Sequence, residues 1–292
     1  MSYQIELRHI KYFLAVAKEL HFRKAAEKLY ISQPGLSRQI KQMEDDMGIS
    51  LFERHNRKVE LTKSGKYLQI ELAKSLKNIE HIFNHAKLLN DGVGGELKFG
   101  YVGSAMQKII PNLLIQFRKE HPDVVFNLKE MDNQKQIDSL LNHDIDMGFV
   151  RLERVPRGLE TMPVLIETFC LVLPKNHSIT AKNFKNLSQF KDEPFILFDP
   201  KYSASYHEKV MQIFDDSGFS PIISHNTIHA SSIYKLVENN FGVSIVPKSL
   251  ISNQEGIQFI ELDMISQRTT LSAIWNSNNK NPILHKTIEL IS

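Results

Sequence analysis

Arg23-Lys24-Ala25-Ala26-Glu27-Lys28-Leu29-Tyr30-Ile31-Ser32-Gln33-Pro34-Gly35-Leu36-Ser37-Arg38-Gln39-Ile40 reads as two short helices joined by a tight turn. In the first, about 22–29, Ala25, Ala26 and Leu29 face one way, and small alanines let helices pack closely at a steep angle. The second starts near Gln33 and Pro34, proline being favoured in a first helical turn. It runs through Leu36, Ile40 and Met43 to a stop at Met47-Gly48. A side chain suited to a base edge stands at its start. This is the layout with which a helix-turn-helix reaches the major groove, and it predicts a DNA-reading element.

The flanks extend that reading. Leu7, Ile10, Phe13, Leu14 and Ala17 fall at helical spacing and predict a preceding helix. Leu51-Phe52-Glu53-Arg54-His55-Asn56-Arg57-Lys58-Val59-Glu60-Leu61-Thr62 predicts a hairpin with a basic tip, which makes 1–62 a winged helix-turn-helix. Residues 63–90 predict one long linker helix, with Leu68, Leu72, Leu76, Ile79, Phe83 and Ala86 at spacings of three to four. A helix of about 25 residues spans about 37 Å. Its narrow stripe either meets a partner helix in a dimer seam or packs on its own domain. Asn90-Asp91-Gly92-Val93-Gly94-Gly95 ends the helix, and 91–95 reads as a hinge.

From Glu96 the pattern changes. Strand-like runs at 97–102, 124–128, 147–150, 168–173, 195–198, 243–246 and 270–275 alternate with helical segments around 106–120, 133–142, 203–217 and 230–240. That alternation predicts an α/β region with mainly parallel sheets over 96–292.

Bulk properties narrow the function classes. The chain has 292 residues, 42% hydrophobic and 24% charged, as an ordinary globular protein has. It contains no apolar run of about 18 residues, and no membrane span is expected. The first residues lack the layout of a secretory signal. The one cysteine, Cys170, lies in the apolar run Phe169-Cys170-Leu171-Val172-Leu173, which predicts a buried structural thiol and fits a reducing cytoplasm. Residues 1–90 carry 16 Lys and Arg against 10 Asp and Glu, while the remainder carries 20 against 23. Only the first part is expected to meet a polyanion.

An enzyme is not indicated. The chain has no G-x-S-x-G, P-loop or G-x-G-x-x-G, and Gly92-Val93-Gly94-Gly95 follows no strand. His143-Asp144-Ile145-Asp146 reads as a solvated loop rather than a metal cluster. No catalytic residue, metal or cofactor is expected. The basic first 90 residues also argue against a solute-binding transport protein.

The run from Leu7 to Thr62 resembles the DNA-binding domain of LysR-type transcriptional regulators. The resemblance rests on Leu7-Arg8-His9-Ile10-Lys11-Tyr12-Phe13, Ala25-Ala26-Glu27-Lys28-Leu29, Ser32 through Ile40, Glu44, Gly48, Leu51-Phe52-Glu53-Arg54, Leu61-Thr62 and Gly65. It continues through Gly100-Tyr101-Val102-Gly103-Ser104, His121-Pro122, Asp146-Met147-Gly148-Phe149 and Gly242-Val243-Ser244-Ile245-Val246-Pro247. Arg8 through Phe13 and Gly100 through Ser104 look most like the regulators of benzoate, muconate and chlorocatechol breakdown. The resemblance implies a two-lobed effector domain like a periplasmic binding protein, with lobe I at about 96–165 and 270–292 and lobe II at about 166–269. It further implies a homodimer or homotetramer, contact with RNA polymerase, and commonly activation; a repressor with an unrelated effector is the alternative.

The chemistry agrees. Gln33 suits a bidentate contact to adenine, and Arg38 one to guanine or to phosphate. Pro34 lies in the same turn. Ser32, Ser37 and Thr62 offer short hydroxyls for phosphate oxygens. Arg54, Arg57 and Lys58 sit at the wing, where either the minor groove and backbone or plain solvent meets them.

In the effector domain, Ser104 precedes a helix starting near Met106, where a hydroxyl and free N–H groups suit a carboxylate of a small organic anion. The same serine also suits a simple N-cap. Asn133 opens a further helix. Ala204, Ser205 and Tyr206 begin a helix in the opposite lobe, with Tyr206 either an aromatic ligand contact or ordinary packing. Arg151 either balances an acidic ligand or pairs with Glu153 or Glu167.

Overall fold

The computed structural model describes residues 5–55, 58–90 and 94–291, with the side chains at 54, 55, 81, 85, 88 and 89 outside that description. The chain forms two compact units, Met1–Ala86 and Lys87–Ser292.

In the first unit, helices α1 (Leu7–Glu19), α2 (Phe22–Lys28) and α3 (Gln33–Met47) are followed by strands β1 (Phe52–His55) and β2 (Lys58–Leu61) and by helix α4 (Lys63–Asn90). The strands pair antiparallel, Phe52 opposite Leu61. The α2–α3 turn is tight because Tyr30 adopts φ 56° and Ile31 N–H bonds back to the Ala26 carbonyl at 3.1 Å. Gly48 closes α3 at φ 67°, the left-handed cap expected of glycine. Phe13, Ala25, Ala26, Leu36, Ile40 and Phe52 form the core, with Phe13 and Phe22 both ring-packed on Phe52.

The α1 stripe is rotated from its expected place. His9, Phe13, Val16 and Ala17 are buried, whereas Leu7 stays 36% exposed. The histidine can be inside because both ring nitrogens are occupied. Glu6 N–H donates to Nδ1 at 3.0 Å, and Nε2 lies 3.0 Å from Gln39 Oε1.

Helix α4 keeps its expected bounds, and at 28 residues it is about 42 Å long. Its stripe divides. Leu68 and Leu72 pack on the core of the first unit, while Phe83 is 63% exposed. Tyr67, Ile70 and Ile82 are exposed as well, so a wider apolar surface stays open than the spacing indicated.

The second unit has two lobes. Lobe I holds a five-stranded sheet of order β4-β3-β5-β12-β6, from β3 (Gly95–Tyr101), β4 (Val124–Glu130), β5 (Met147–Val150), β6 (Leu159–Glu167) and β12 (Thr269–Asn276). Helices α5 (Ile109–Glu120), α6 (Asn133–Leu141) and α9 (Pro282–Ile291) belong to it. Gly100 and Gly148 stand opposite each other in the sheet, and a Cβ on either would meet the Gln136 side chain of α6. Their bare backbone lets α6 settle closely.

Lobe II holds β7 (Phe169–Pro174) between β10 (Ser244–Pro247) and β11 (Ile257–Glu261), and β8 (Pro194–Phe198) paired with β9 (Ile222–Thr227). A bridge from Phe195 to Val243 links the two groups. Helices α7 (Ala204–Asp216) and α8 (Ala230–Glu238) pack here.

The sheets are mixed rather than mainly parallel. β3 pairs parallel with β4 and β5, and β8 with β9, but β12 pairs antiparallel with β5 and β6, and β7 with β10 and β11. The topology requires it. The chain leaves lobe I along β6 and returns beside it along β12, so the two crossing strands run in opposite directions. The crossing also falls at Glu167–Thr168, slightly beyond the expected 165, because β6 runs on to Glu167.

Candidate DNA interface and ligand cleft

Helix α3 turns Leu36, Ile40 and Met43 inward and leaves Gln33, Pro34 and Arg38 exposed. Its N-cap is Ser32, whose Oγ accepts from Gly35 N–H at 3.2 Å. Capping uses a lone pair and leaves the hydroxyl proton available for a phosphate oxygen. Gln33 Nε2 donates to Ser37 Oγ at 3.0 Å, one turn along. An amide nitrogen has two hydrogens, so Gln33 keeps a donor and its Oε1 for the paired contact adenine requires, already oriented. Arg38 has no carboxylate partner among the described residues. Lys41, one turn further on the exposed side, extends the cationic face and was not singled out by sequence.

Two wing assignments change. Thr62 Oγ1 donates to Ser50 O at 2.8 Å and accepts from Gly65 N–H at 2.9 Å. Its single proton is engaged, so Thr62 pins the wing to α4 instead of reaching phosphate. Lys58 pairs with Glu60 of its own strand, whose hydrogen-bonded carboxylate holds the ammonium above the usual lysine range. Any phosphate contact there exchanges one anion for another. Arg57 and the Arg54 side chain lie outside the described residues.

In the second unit a cavity of about 250 Å³ opens between the lobes. Tyr101, Gly103, Ser104 and Glu130 line it from lobe I, and Tyr202, Phe198, His229 and Leu250 from lobe II. Ser104 does not cap a helix here. Residues Gly103–Gln107 form a 3-10 turn, and α5 starts only at Ile109, where Pro111 suits the first turn. Ser104 Oγ instead accepts from Arg151 Nε at 3.0 Å, which leaves its proton free and a cation behind it.

Arg151 is buried, and each of its three nitrogens donates a hydrogen bond. Beyond Ser104 it donates to Thr269 Oγ1 at 3.0 Å and pairs with Glu167, which also accepts from Ser249 Oγ at 2.8 Å. The ion-pair alternative with Glu167 is thus realised, while Glu153 pairs with Lys209 at 2.7 Å. Asn133 is not among the residues that line this cleft. Its Nδ2 donates to Arg151 O at 2.9 Å and Ser203 Oγ at 3.0 Å, and Oδ1 accepts from Arg151 N–H at 3.3 Å. All its polar atoms clasp α6 to the end of β5 and the start of α7, so it is a clasp and not a free ligand group.

Tyr206 is 4% exposed, donates to Ile245 O at 3.0 Å and packs on Phe169 and Phe198. It forms wall, with no free hydroxyl. Ser205 lines a different cavity, and Ala204 lines neither. The aromatic group at the mouth is Tyr202, just ahead of the helix. Its hydroxyl donates to Glu130 Oε1 at 3.2 Å and accepts from Gly103 N–H. Burial first, then the Glu130 charge, holds this phenol well above the tyrosine range, so it remains a neutral donor. His229 Nδ1 lies 3.4 Å from the same Glu130 oxygen. The Asp199-Pro200 turn before the helix was the available sequence signal for Tyr202.

Cys170 is fully buried, and burial pushes its thiol up to about 12. Asp146 of the HDID run receives Lys98 N–H at 2.9 Å and Asn279 Nδ2 at 3.0 Å, a structural use of that carboxylate.

Residues 7–66 match the family described as bacterial regulatory helix-turn-helix protein, lysR family, and residues 90–292 match the LysR substrate binding domain. The chain is 33% identical over 268 residues to the uncharacterized HTH-type transcriptional regulator YnfL of Escherichia coli K12, covering 90% of each chain. It is 32% identical to the HTH-type transcriptional regulator BenM of Acinetobacter baylyi, covering 86% of this chain and 83% of BenM. The crystal structure of full-length CbnR complexed with its target DNA superimposes with TM-score 0.68 at 26% identity, covering 98% of this chain and 99% of CbnR.

Proposed function

The chain belongs to the LysR family of DNA-binding transcriptional regulators with an effector-binding domain, and on that premise we propose that it is an effector-responsive activator of a catabolic operon. It acts in the cytoplasm as a homodimer or homotetramer and contacts RNA polymerase. Gln33, Pro34, Ser32, Ser37 and Arg38 meet operator DNA, with Arg54, Arg57 and Lys58 at the wing. The open apolar surface of α4 around Phe83 supports pairing of two chains.

The effector is a small organic anion in the cleft of Ser104. The observation that carries this reading is the free Ser104 proton with the Arg151 guanidinium 3.0 Å behind its oxygen. Glu167 matches the Arg151 charge, so the effect is local: a guanidinium donating to the Ser104 oxygen polarises its free O–H and makes it a stronger donor to a carboxylate. An anion preferring one placement of the lobes would bias how paired winged helices sit on DNA. The test is a thermal-shift screen of the full chain against aromatic and dicarboxylic acids, paired with gel retardation on the adjacent promoter. A ligand that raises the transition and loses its effect in Ser104→Ala supports the site; no shift with any organic anion overturns it.

A further inference from the structure

The wall formed by Arg151 and Tyr206 has a second face. On its far side lies another cavity, of about 330 Å³. We propose that it is a second small-molecule site of this protein, built for a dianion such as a phosphoryl group or a dicarboxylate.

The charge balance decides the ligand class. Arg154, Lys209 and Arg268 line the cavity against one carboxylate, Glu153, which Lys209 already pairs at 2.7 Å. Arg154 has no ion pair among the described residues. Among the described residues Arg268 Nη1 donates to the carbonyls of Ile265 at 2.6 Å and Gln267 at 2.8 Å and meets no carboxylate, which orients the guanidinium without neutralising it. Glu153 also feels the Arg154 charge, so one carboxylate is set against three cations, and the surplus on two guanidiniums favours an anion with several oxygens, since each presents a planar fork of donors.

The remaining lining supplies donors that an anion needs. Thr161, Ser205, Thr270 and Ser272 bring hydroxyls. Ser205 stands in the first turn of the 13-residue helix α7, whose initial N–H groups have no helical acceptor. The decisive residue is Ser272. It is 5% exposed, lines the cavity, and its hydroxyl has no hydrogen-bond partner among the described residues. The residue is buried, but its hydroxyl oxygen is not itself shut off from solvent, so it opens on the cavity and is free to meet an occupant. The backbone explains how it comes to face the cavity. The β12–β6 ladder shifts register between Leu271 and Ser272, and the residue opposite Ser272 is Pro163, which has no N–H to donate. The sheet opens there, as bulges beside binding sites do.

An occupant would touch β6 and β12 of lobe I and α7 of lobe II together, independently of anything bound at Ser104. The test is isothermal titration of the full chain with inorganic phosphate and, separately, with succinate at fixed ionic strength. Saturable binding of either is expected, phosphate alone marking a phosphoryl site and succinate alone a dicarboxylate site. The Arg154→Ala/Arg268→Ala double variant is expected to weaken it by about tenfold or more. Ser272→Ala should also weaken it with little change in thermal stability, a combination that a purely structural serine would not give. Absence of binding by both anions, or affinity unchanged in the double variant as for ions held on the DNA-binding face, overturns the proposal.

Discussion

His9 Nε2 and Gln39 Oε1 meet 3.0 Å apart in the core of the first unit, joining α1 to the residue beside Arg38 on the recognition helix. Because Nδ1 accepts from Glu6 N–H, the ring proton sits on Nε2 and the histidine is the donor. His9→Ala removes a cap, a buried hydrogen bond and ring volume at once. A loss of roughly 2–4 kcal/mol in the unfolding transition of residues 1–86 is expected, from the lost bonds and the cavity together. Urea denaturation followed by circular dichroism measures it, and Gln39→Ala should reproduce part of the loss.

Arg38→Ala is expected to reduce specific operator affinity by about 1–3 kcal/mol with the fold intact, and to relax sequence preference. Lys58→Ala should weaken all sequences alike and lower the salt slope by about one counterion at most, because Glu60 already competes for that ammonium. Gel retardation across a salt series separates the two. Equal effects of both variants on random and operator DNA would contradict the division of roles.

Gly65 is set against the wing so closely that a Cβ would lie 2.2 Å from Leu51 O. The obstacle is backbone, and no side chain can yield. Gly65→Ala therefore has to displace α4 or the wing, at an expected cost of about 1–3 kcal/mol. A melting temperature within error of the parent would show that the contact relaxes freely.

The Arg151–Glu167 pair is buried on both sides. Arg151→Met leaves the Glu167 carboxylate with Ser249 as its one remaining partner among the described residues, and a loss of about 3–5 kcal/mol is expected in the unit Lys87–Ser292. Glu167→Met together with Arg151→Met should recover much of it, since no charge is then stranded. Chemical denaturation of both variants distinguishes this from simple loss of packing, which the double variant would worsen.

Cys170 should resist thiol reagents in the native state and react only on unfolding. Its folded thiol is raised from 9.0 to about 12 by burial, so the neutral form is favoured by the fold. The sign follows. The contribution is fully present below pH 9 and is lost as pH rises towards 12, where the unfolded chain ionises first. Cys170→Ala is expected to flatten the alkaline fall in melting temperature over that window.

Local chemistry made the first unit readable from sequence. Ser32, Pro34 and Gly48 fix both ends of α3, and Lys63–Asn90 has no breaker after Gly65. The unread strands lacked such signals. β6 carries Pro163 and survives only because it is a sheet edge. β9 is exposed along most of its length and so shows no alternation. α9, by contrast, opens on Pro282 and was readable by the rule used for α3. The cleft resisted reading because its polar groups are matched across long separations. Glu167 and Ser249 hold Arg151 from positions that no spacing rule connects, and Tyr202 precedes the helix whose register pointed to Tyr206.

The crossing between the lobes carries one more consequence. Thr168 Oγ1 donates to Leu262 O at 3.0 Å, and Leu262 N–H donates to Phe169 O at 2.9 Å. The second lobe thus begins and ends at one point, as an insert held in a host by adjacent stitches. A stretch with neighbouring ends can be exchanged without reconnecting the rest of the chain. Joining Glu167 to Thr269 through a short linker would leave lobe I topologically whole, and 168–268 could be carried as a cassette between relatives. Half of the cleft, and with it ligand choice, is then portable separately from the half that continues into the DNA-binding unit.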